Sequence, residues 1–218
     1  MTKSDAPATG KGILITFEGG EGGGKTTQVA RLRERLNKAG RDVIVVREPG
    51  GTVISEKIRE ILLDKQNTSM AYTTEVLLFQ AGRAQIYREI VLPSLAAGKV
   101  VLMDRSRDSS VVYQGMVRGF GRELIDQLND ISTKNTVPDL TFLLDVPPKM
   151  GLARQTANGE VNRMELQGMD FHTSVNAAYQ QLAKEDTKGR WVIIDASEDL
   201  EAVEKEIWKK VSEKLTNV

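Results

Sequence analysis

Five short apolar runs divide the chain, and each ends against charged residues. The run 13–17 meets Glu18, 43–46 meets Arg47 and Glu48, and 100–103 meets Asp104 and Arg105. The run 140–144 leads to Asp145, and 191–194 to Asp195. Between them the apolar spacing changes to three and four. Val29, Leu32 and Leu36 form a helical stripe that Gly40 ends, and Ile58, Ile61 and Leu62 mark a second helix. A long third helix is expected from about 74 to 97, kinked near Pro93 and stopped at Gly98. Leu124, Ile125, Leu128 and Ile131 predict a fourth, and Pro147 and Pro148 open a fifth reaching about Arg154. Phe171, Val175, Tyr179 and Leu182 stripe a sixth, while Val203, Ile207, Val211 and Leu215 stripe the last.

Continuous apolar strands alternating with helices predict an α/β three-layer sandwich, a five-stranded parallel sheet flanked by helices. Ligands of such sheets bind beyond the carboxyl ends of the strands, so the charged strand ends are candidates for one shared edge. A wet loop is explanation enough for Asp195 and serves for Asp145, but it accounts less well for the Arg–Glu and Asp–Arg pairs.

The 218 residues suit one large domain, 12–218, behind a loose tail at 1–11, with no internal repeat. Lysines plus arginines number 30, equal to aspartates plus glutamates, so no basic excess points to nucleic acid or an anionic membrane. Cysteine is absent, which rules out disulfides and thiolate metal sites and suits a reducing compartment. The tail has no apolar signal core, and no apolar run approaches a membrane span. The expected location is the cytosol. The charged final helix reads as a solvated face over a core stripe.

Gly19, Gly20, Glu21, Gly22, Gly23, Gly24, Lys25 and Thr26 match G-x-x-x-x-G-K-[ST] between a strand and a helix. Glycines there let backbone N–H groups converge on phosphate oxygens, and the helix N-terminus adds positive potential. A flexible glycine linker is the bland alternative, which the flanking strand and helix disfavour. Lys25, expected as a solvent-facing loop residue, would reach the β- and γ-phosphates of a nucleoside triphosphate, and the Thr26 hydroxyl would ligate Mg²⁺. Phosphate loops serve GTPases, motors and small-molecule kinases alike. Thr133, Lys134, Asn135 and Thr136 lack the aspartate of a guanine reader. A kinase must hold two anionic substrates together, and Arg47, Arg83, Arg105, Arg154 and Arg163 could neutralise them. Asp104 ends an apolar strand, as carboxylates that orient Mg²⁺ or its waters do.

The chain resembles the thymidylate (dTMP) kinases of the nucleoside monophosphate kinase group. The resemblance is carried by the segment from Phe17 to Gln28, by Arg47, Glu48, Pro49, Gly50, Gly51 and Thr52, and by Glu75 to Phe79 with Arg83. It continues through Asp104, Arg105 and the stretch 109–115, then Pro138, Asp139, Leu140 and Thr141, and finally Leu144, Asp145 and Val146. It covers nearly everything from Gly12 onward.

The resemblance implies transfer of the γ-phosphoryl of Mg·ATP to dTMP, with Lys25, Arg105, Arg154 and Asp104 catalytic. It implies ATP binding by residues 19–27, including Thr27, and a metal held at Thr26 and Asp104. Phe79 would stack on thymine, and Arg83, four residues on, would donate to the base. Core packing and a surface arginine are the plain alternatives. Arg47 and Arg105 would grip the monophosphate, unless they only pair with Glu48 or Asp104. Glu21 would accept from the sugar 3′-hydroxyl. Ser109, Ser110, Tyr113 and Gln114 would line the nucleoside pocket, with Tyr113 excluding a ribose hydroxyl. A lid at about 152–166 is implied, and because Gly22 leaves the loop without a base, Arg154 or Arg163 would supply the charge, Arg154 being favoured. Ser106 departs from the aromatic or histidine usual after Asp-Arg. A homodimer is implied. Other monophosphates or deoxynucleosides, or a catalytically weak nucleotide-binding switch, remain alternatives. His172, Trp191 and Trp208 read as packing residues.

Overall fold

The computed structural model describes residues 12–157, 162–164 and 166–216. The expected tail at 1–11, and 158–161 and 165 of the expected lid, lie outside the described residues. The five apolar runs form β1 (Ile13–Glu18), β2 (Val43–Arg47), β3 (Val100–Asp104), β4 (Leu140–Asp145) and β5 (Trp191–Asp195). All pair in parallel, in the order β2-β3-β1-β4-β5. The predicted α/β sandwich is the observed one.

Alternate residues of the central strand feed two cores. Ile13, Ile15 and Phe17 pack with Phe142 and Leu144 beneath α1 (Lys25–Lys38) and α9 (Leu200–Thr216). Leu14 faces the other way, onto Ile86, Tyr87 and Val91. Burial on both faces is why the inner strands β1, β3 and β4 read as nearly unbroken apolar runs. Thr16 and Thr141, the polar interruptions, share a buried hydroxyl hydrogen bond of 2.9 Å.

The register matters for function. Asp104 lies opposite both Phe17 and Arg47, so the residues after β1, β2 and β3 leave the sheet at one level. The chain turns one way from β1 to β2 and the other way from β3 to β4, which opens a crevice at the ends of β1 and β3.

After α2 (Val53–Leu63), the long third helix is three pieces: α3 (Tyr72–Ile86), a π-helical turn (Tyr87–Val91) and α4 (Leu92–Ala96). Pro93 cannot donate to the carbonyl four residues back, and the wide turn before it absorbs the misfit. The serine-containing stretch 107–117 is helical throughout. It comprises α5 (Arg107–Ser110) and a second π-helical turn (Val111–Val117). The remaining helices are α6 (Arg122–Thr133), α7 (Pro148–Ala157) and α8 (Met169–Lys184). Among the described residues no helix is long and apolar enough to cross a membrane.

Candidate active site

The loop between β1 and α1 carries no side-chain cap on the helix and no acid in its first turn, so the α1 amides stay available to an anion. Gly22 and Gly24 adopt left-handed φ of 64° and 80°. Gly22 also lies against α7. A Cβ on it would fall 1.9 Å from the Gly151 carbonyl oxygen, and one on Gly151 would fall 2.2 Å from that of Glu21. Two glycines therefore let the lid-side helix rest on the phosphate loop backbone. Gly151→Ala should cost about 1–3 kcal/mol through this overlap, read as a lowered thermal midpoint and weaker ATP binding. Gly20→Ala, with nothing within 4 Å of its Cβ, should stay within about 0.5 kcal/mol of the parent.

Lys25 is not solvent-facing. It is 7 % exposed, and its Nζ donates to the carbonyls of Gly20 at 2.7 Å and Gly19 at 3.2 Å. Burial, then the neighbouring Arg105 charge, lowers its pKa to about 8, against the pull of Glu21, Asp104 and Glu18. Gly19 and Gly20 shape the loop by these carbonyls and do not line the main cleft.

Thr26 Oγ1 donates to Asp104 Oδ2 at 2.5 Å, joining the two residues expected to hold a metal. Arg105, at a left-handed φ of 65°, points back across the loop. It donates to the Gly19 carbonyl at 3.0 Å and to Glu21 Oε1 at 2.8 Å. Its structural partner is thus Glu21, not Asp104. Burial works to raise the Glu21 pKa, but Arg105 and Lys25 outweigh it and hold the carboxyl below its ordinary value. Beneath them Glu18 is wholly buried and accepts from the Ser106 amide, the Ser109 hydroxyl and the Tyr179 hydroxyl. Burial, with help from Asp108, pushes Glu18 up to about 7.

Arg47 is anchored by Glu56, which takes two hydrogen bonds of 2.9 Å from its Nη2, and not by Glu48. Glu48 instead pairs with Arg83 inside the protein. Arg83 makes four hydrogen bonds there, to Glu48, Ser110, Asn129 and the Ser106 carbonyl, and its Nη2 also lies 2.7 Å from Glu48. Ser109 donates its hydroxyl to Glu18, whereas the Ser110 hydroxyl accepts from Arg83. Phe79 is half-buried and opens on the cleft rather than sitting in a core.

Both expected lid arginines have partners elsewhere in the protein, although Arg154 also lines the main cleft with Lys25. Arg154 donates to the Ala196 carbonyl at 2.7 Å, and Arg163 is locked to Glu75 at 2.7 Å and to the Leu62 carbonyl. Arg163 does not line the main cleft, and its guanidinium is buried between α2 and α3. His172, buried in α8, stacks edge-on to Phe171, and its Nε2 has no partner among the described residues.

One cleft of about 820 Å³ joins these groups, from the phosphate loop past Arg47, Asp104 and Arg105 to Phe79, Tyr113 and Gln114. It also takes in Arg59 and the stretch around Glu198 to Leu200, which the motifs did not single out. Arg59 projects from α2 and donates to the Pro49 carbonyl at 2.7 Å, behind Arg47. The only signal for the 196–200 stretch was its position just past a strand end.

The thymidylate kinase family model matches residues 17–207. The chain is 43% identical over 205 residues to a thymidylate kinase of Caldanaerobacter subterraneus subsp. tengcongensis, spanning 94% of this chain and 97% of the relative. It is 45% identical over 197 residues to that of Thermoanaerobacter sp. (strain X514), spanning 90% and 96%. A crystal structure of the Ehrlichia chaffeensis thymidylate kinase superposes with a TM-score of 0.75 at 32% identity, over 93% of this chain and 99% of that one.

Proposed function

The chain belongs to the thymidylate kinase family, and we propose that it transfers the γ-phosphoryl of ATP to dTMP, giving ADP and dTDP, across the cleft just described. The observation that carries this reading is the single cleft, with a phosphate cradle at one end and a half-buried aromatic ring at the other. An oxygen of the dTMP phosphate forms the new P–O bond, and the bond to the β-phosphate oxygen breaks as ADP leaves. That acceptor oxygen is already anionic, so the reaction needs positioning and charge compensation rather than a strong base.

In this reading the loop amides and Lys25 hold the ATP phosphates, while Arg105 and Arg47 face the acceptor phosphate. Glu21, bonded to Arg105 and 3.3 Å from the Tyr113 hydroxyl, stands ready for the sugar. Thr26 and Asp104 fit a hard cation such as Mg²⁺, since both offer oxygen donors at one point. Among the described residues no cluster of three or more acidic, histidine or cysteine side chains forms a metal cage. Such an ion would take its other ligands from phosphates and water, and would supply charge neutralisation on the polyphosphate.

A panel of nucleoside monophosphates with ATP, read as ADP release, tests the assignment. Preference for AMP, GMP or CMP over dTMP would reject it. Phe79→Ala should weaken dTMP binding about ten- to a hundred-fold, the worth of one base–aromatic stack, while ATP affinity holds. Calorimetric titration of each nucleotide checks this, and unchanged dTMP affinity returns Phe79 to a packing role.

The expected homodimer is supported by exposed Ile54, Ile61, Leu77, Leu124 and Ile131, which lie on the mutually packed α2, α3 and α6. The cytosolic reading rests on the cysteine-free composition and on substrates of intracellular metabolism.

A further inference from the structure

Glu75 is wholly buried in the first turn of α3. Its Oε2 accepts from Arg163 Nη2 at 2.7 Å, and its Oε1 accepts from Gln114 Nε2 at 3.0 Å. The Arg118 guanidinium stands 3.8 Å from Oε1. Arg163 is fixed in turn, its Nε on the Leu62 carbonyl at 2.8 Å and its backbone N–H on that of Leu63 at 3.1 Å. Two buried guanidinium groups thus balance one buried carboxylate, and Gln114 is the neutral member of the group.

Hydrogen-bond direction follows from chemistry. A carboxylate only accepts, so Gln114 must meet Glu75 with its NH₂ end. The amide oxygen is then left on the opposite side. Among the described residues no donor reaches that oxygen, and Gln114 lines the cleft together with Phe79. An acceptor of fixed direction suits a base that offers N3–H. Thymine and uracil do, whereas cytosine presents an N3 lone pair. The clash would leave two acceptors facing each other in a buried site.

We infer that Glu75, clamped by Arg163, is a positioning residue for base specificity, holding the Gln114 amide so that its oxygen faces the base and an imide N–H is required there. This rests on the reading that the base of a pyrimidine monophosphate lies against Phe79. The device discriminates imide from amidine edges and does not separate thymine from uracil.

The test compares dTMP and dCMP as acceptors at saturating ATP in the parent and in Glu75→Gln. The new amide keeps its oxygen on Arg163, which only donates, and turns its NH₂ toward Gln114. Gln114 must then rotate and present a donor to the cleft. The dTMP kcat/KM should fall about ten- to a hundred-fold through KM, and the dTMP:dCMP preference should narrow at least about ten-fold, with the ATP KM unchanged. Equal losses for both acceptors, with an unchanged preference, would overturn the inference.

Gln114→Leu removes the oriented group. On that background Glu75→Gln should leave the dTMP:dCMP ratio where Gln114→Leu alone puts it, and independent additive effects on the ratio count against the proposal. Should Glu75→Gln not fold, the parent protein still decides. N3-methyl-dTMP should bind at least about ten-fold more weakly than dTMP by calorimetry, and equal binding refutes an acceptor at that position. A parent protein that binds no dTMP removes the functional reading itself, and this inference with it.

Discussion

Lys25→Ala should lower phosphoryl transfer by about a thousand-fold while the protein stays folded. Removing a single preorganised donor from a developing anion costs on the order of 10²–10³ in rate, and this donor is charged and nearly buried. Its two carbonyl contacts hold the ammonium at the loop mouth before any nucleotide arrives. That arrangement disfavours the charged form of the free lysine. Because burial lowers the Lys25 pKa to about 8, the folded protein has lost this proton between about pH 8 and the ordinary lysine value, while the unfolded chain keeps it. The contribution to stability therefore rises with pH across that window, and at pH 7 the charged lysine is a burden on the free protein.

Two measurements follow from this sign. Lys25→Met, which keeps the apolar stem, should match or exceed the parent's thermal midpoint at pH 7 despite its inactivity. ATP affinity of the parent should decline as pH rises past about 8, as the free protein's lysine becomes neutral. The Lys25→Ala profile should be flat there. A parent profile equally flat to pH 9 would mean that the lysine is not the titrating phosphate ligand.

Arg105→Gly should reduce kcat/KM for dTMP by about a hundred-fold or more with little loss of stability. The guanidinium is expected to neutralise the acceptor phosphate, and hydrogen bonds to charged partners are the strong kind. The backbone at 105 sits at a φ of 65°, a region that glycine enters without the cost other residues bear, so this substitution removes the charge and relieves the main chain together. Arg105→Lys keeps the charge but not the fork that spans the Gly19 carbonyl and Glu21, and should recover little of the loss. Activity near the parent level in either variant would assign Arg105 to the Glu21 ion pair alone. Differential scanning calorimetry beside steady-state kinetics separates the two roles.

Much of this architecture is written in local order. The three inner strands β1, β3 and β4 are buried on both faces, so runs such as 140–144 carry no polar interruption but Thr141, whose hydroxyl is satisfied within the sheet. Helical stripes at Val29, Leu32 and Leu36 point to one core, and the glycine spacing before Lys25 describes a phosphate cradle with few alternatives. The strand-end charges follow as well, because a parallel sheet delivers all its carboxyl ends to one edge.

Partnership was another matter. Arg47 takes Glu56, 9 residues away, rather than adjacent Glu48, and Glu48 takes Arg83 across 35 residues. Arg105 reaches Glu21 over 84 positions and Arg163 reaches Glu75 over 88, which fixes Arg163 between α2 and α3. The glycine at 22 owes its size to the carbonyl of residue 151, a constraint that no local pattern displays. Hydrophobic periodicity is a property of neighbours along the chain, and together with the glycine spacing it was enough for the strands, most of the helices and the phosphate loop. Which buried charge faces which is settled only when distant segments are packed, since each desolvated guanidinium must find whatever carboxylate or carbonyl the fold brings within reach.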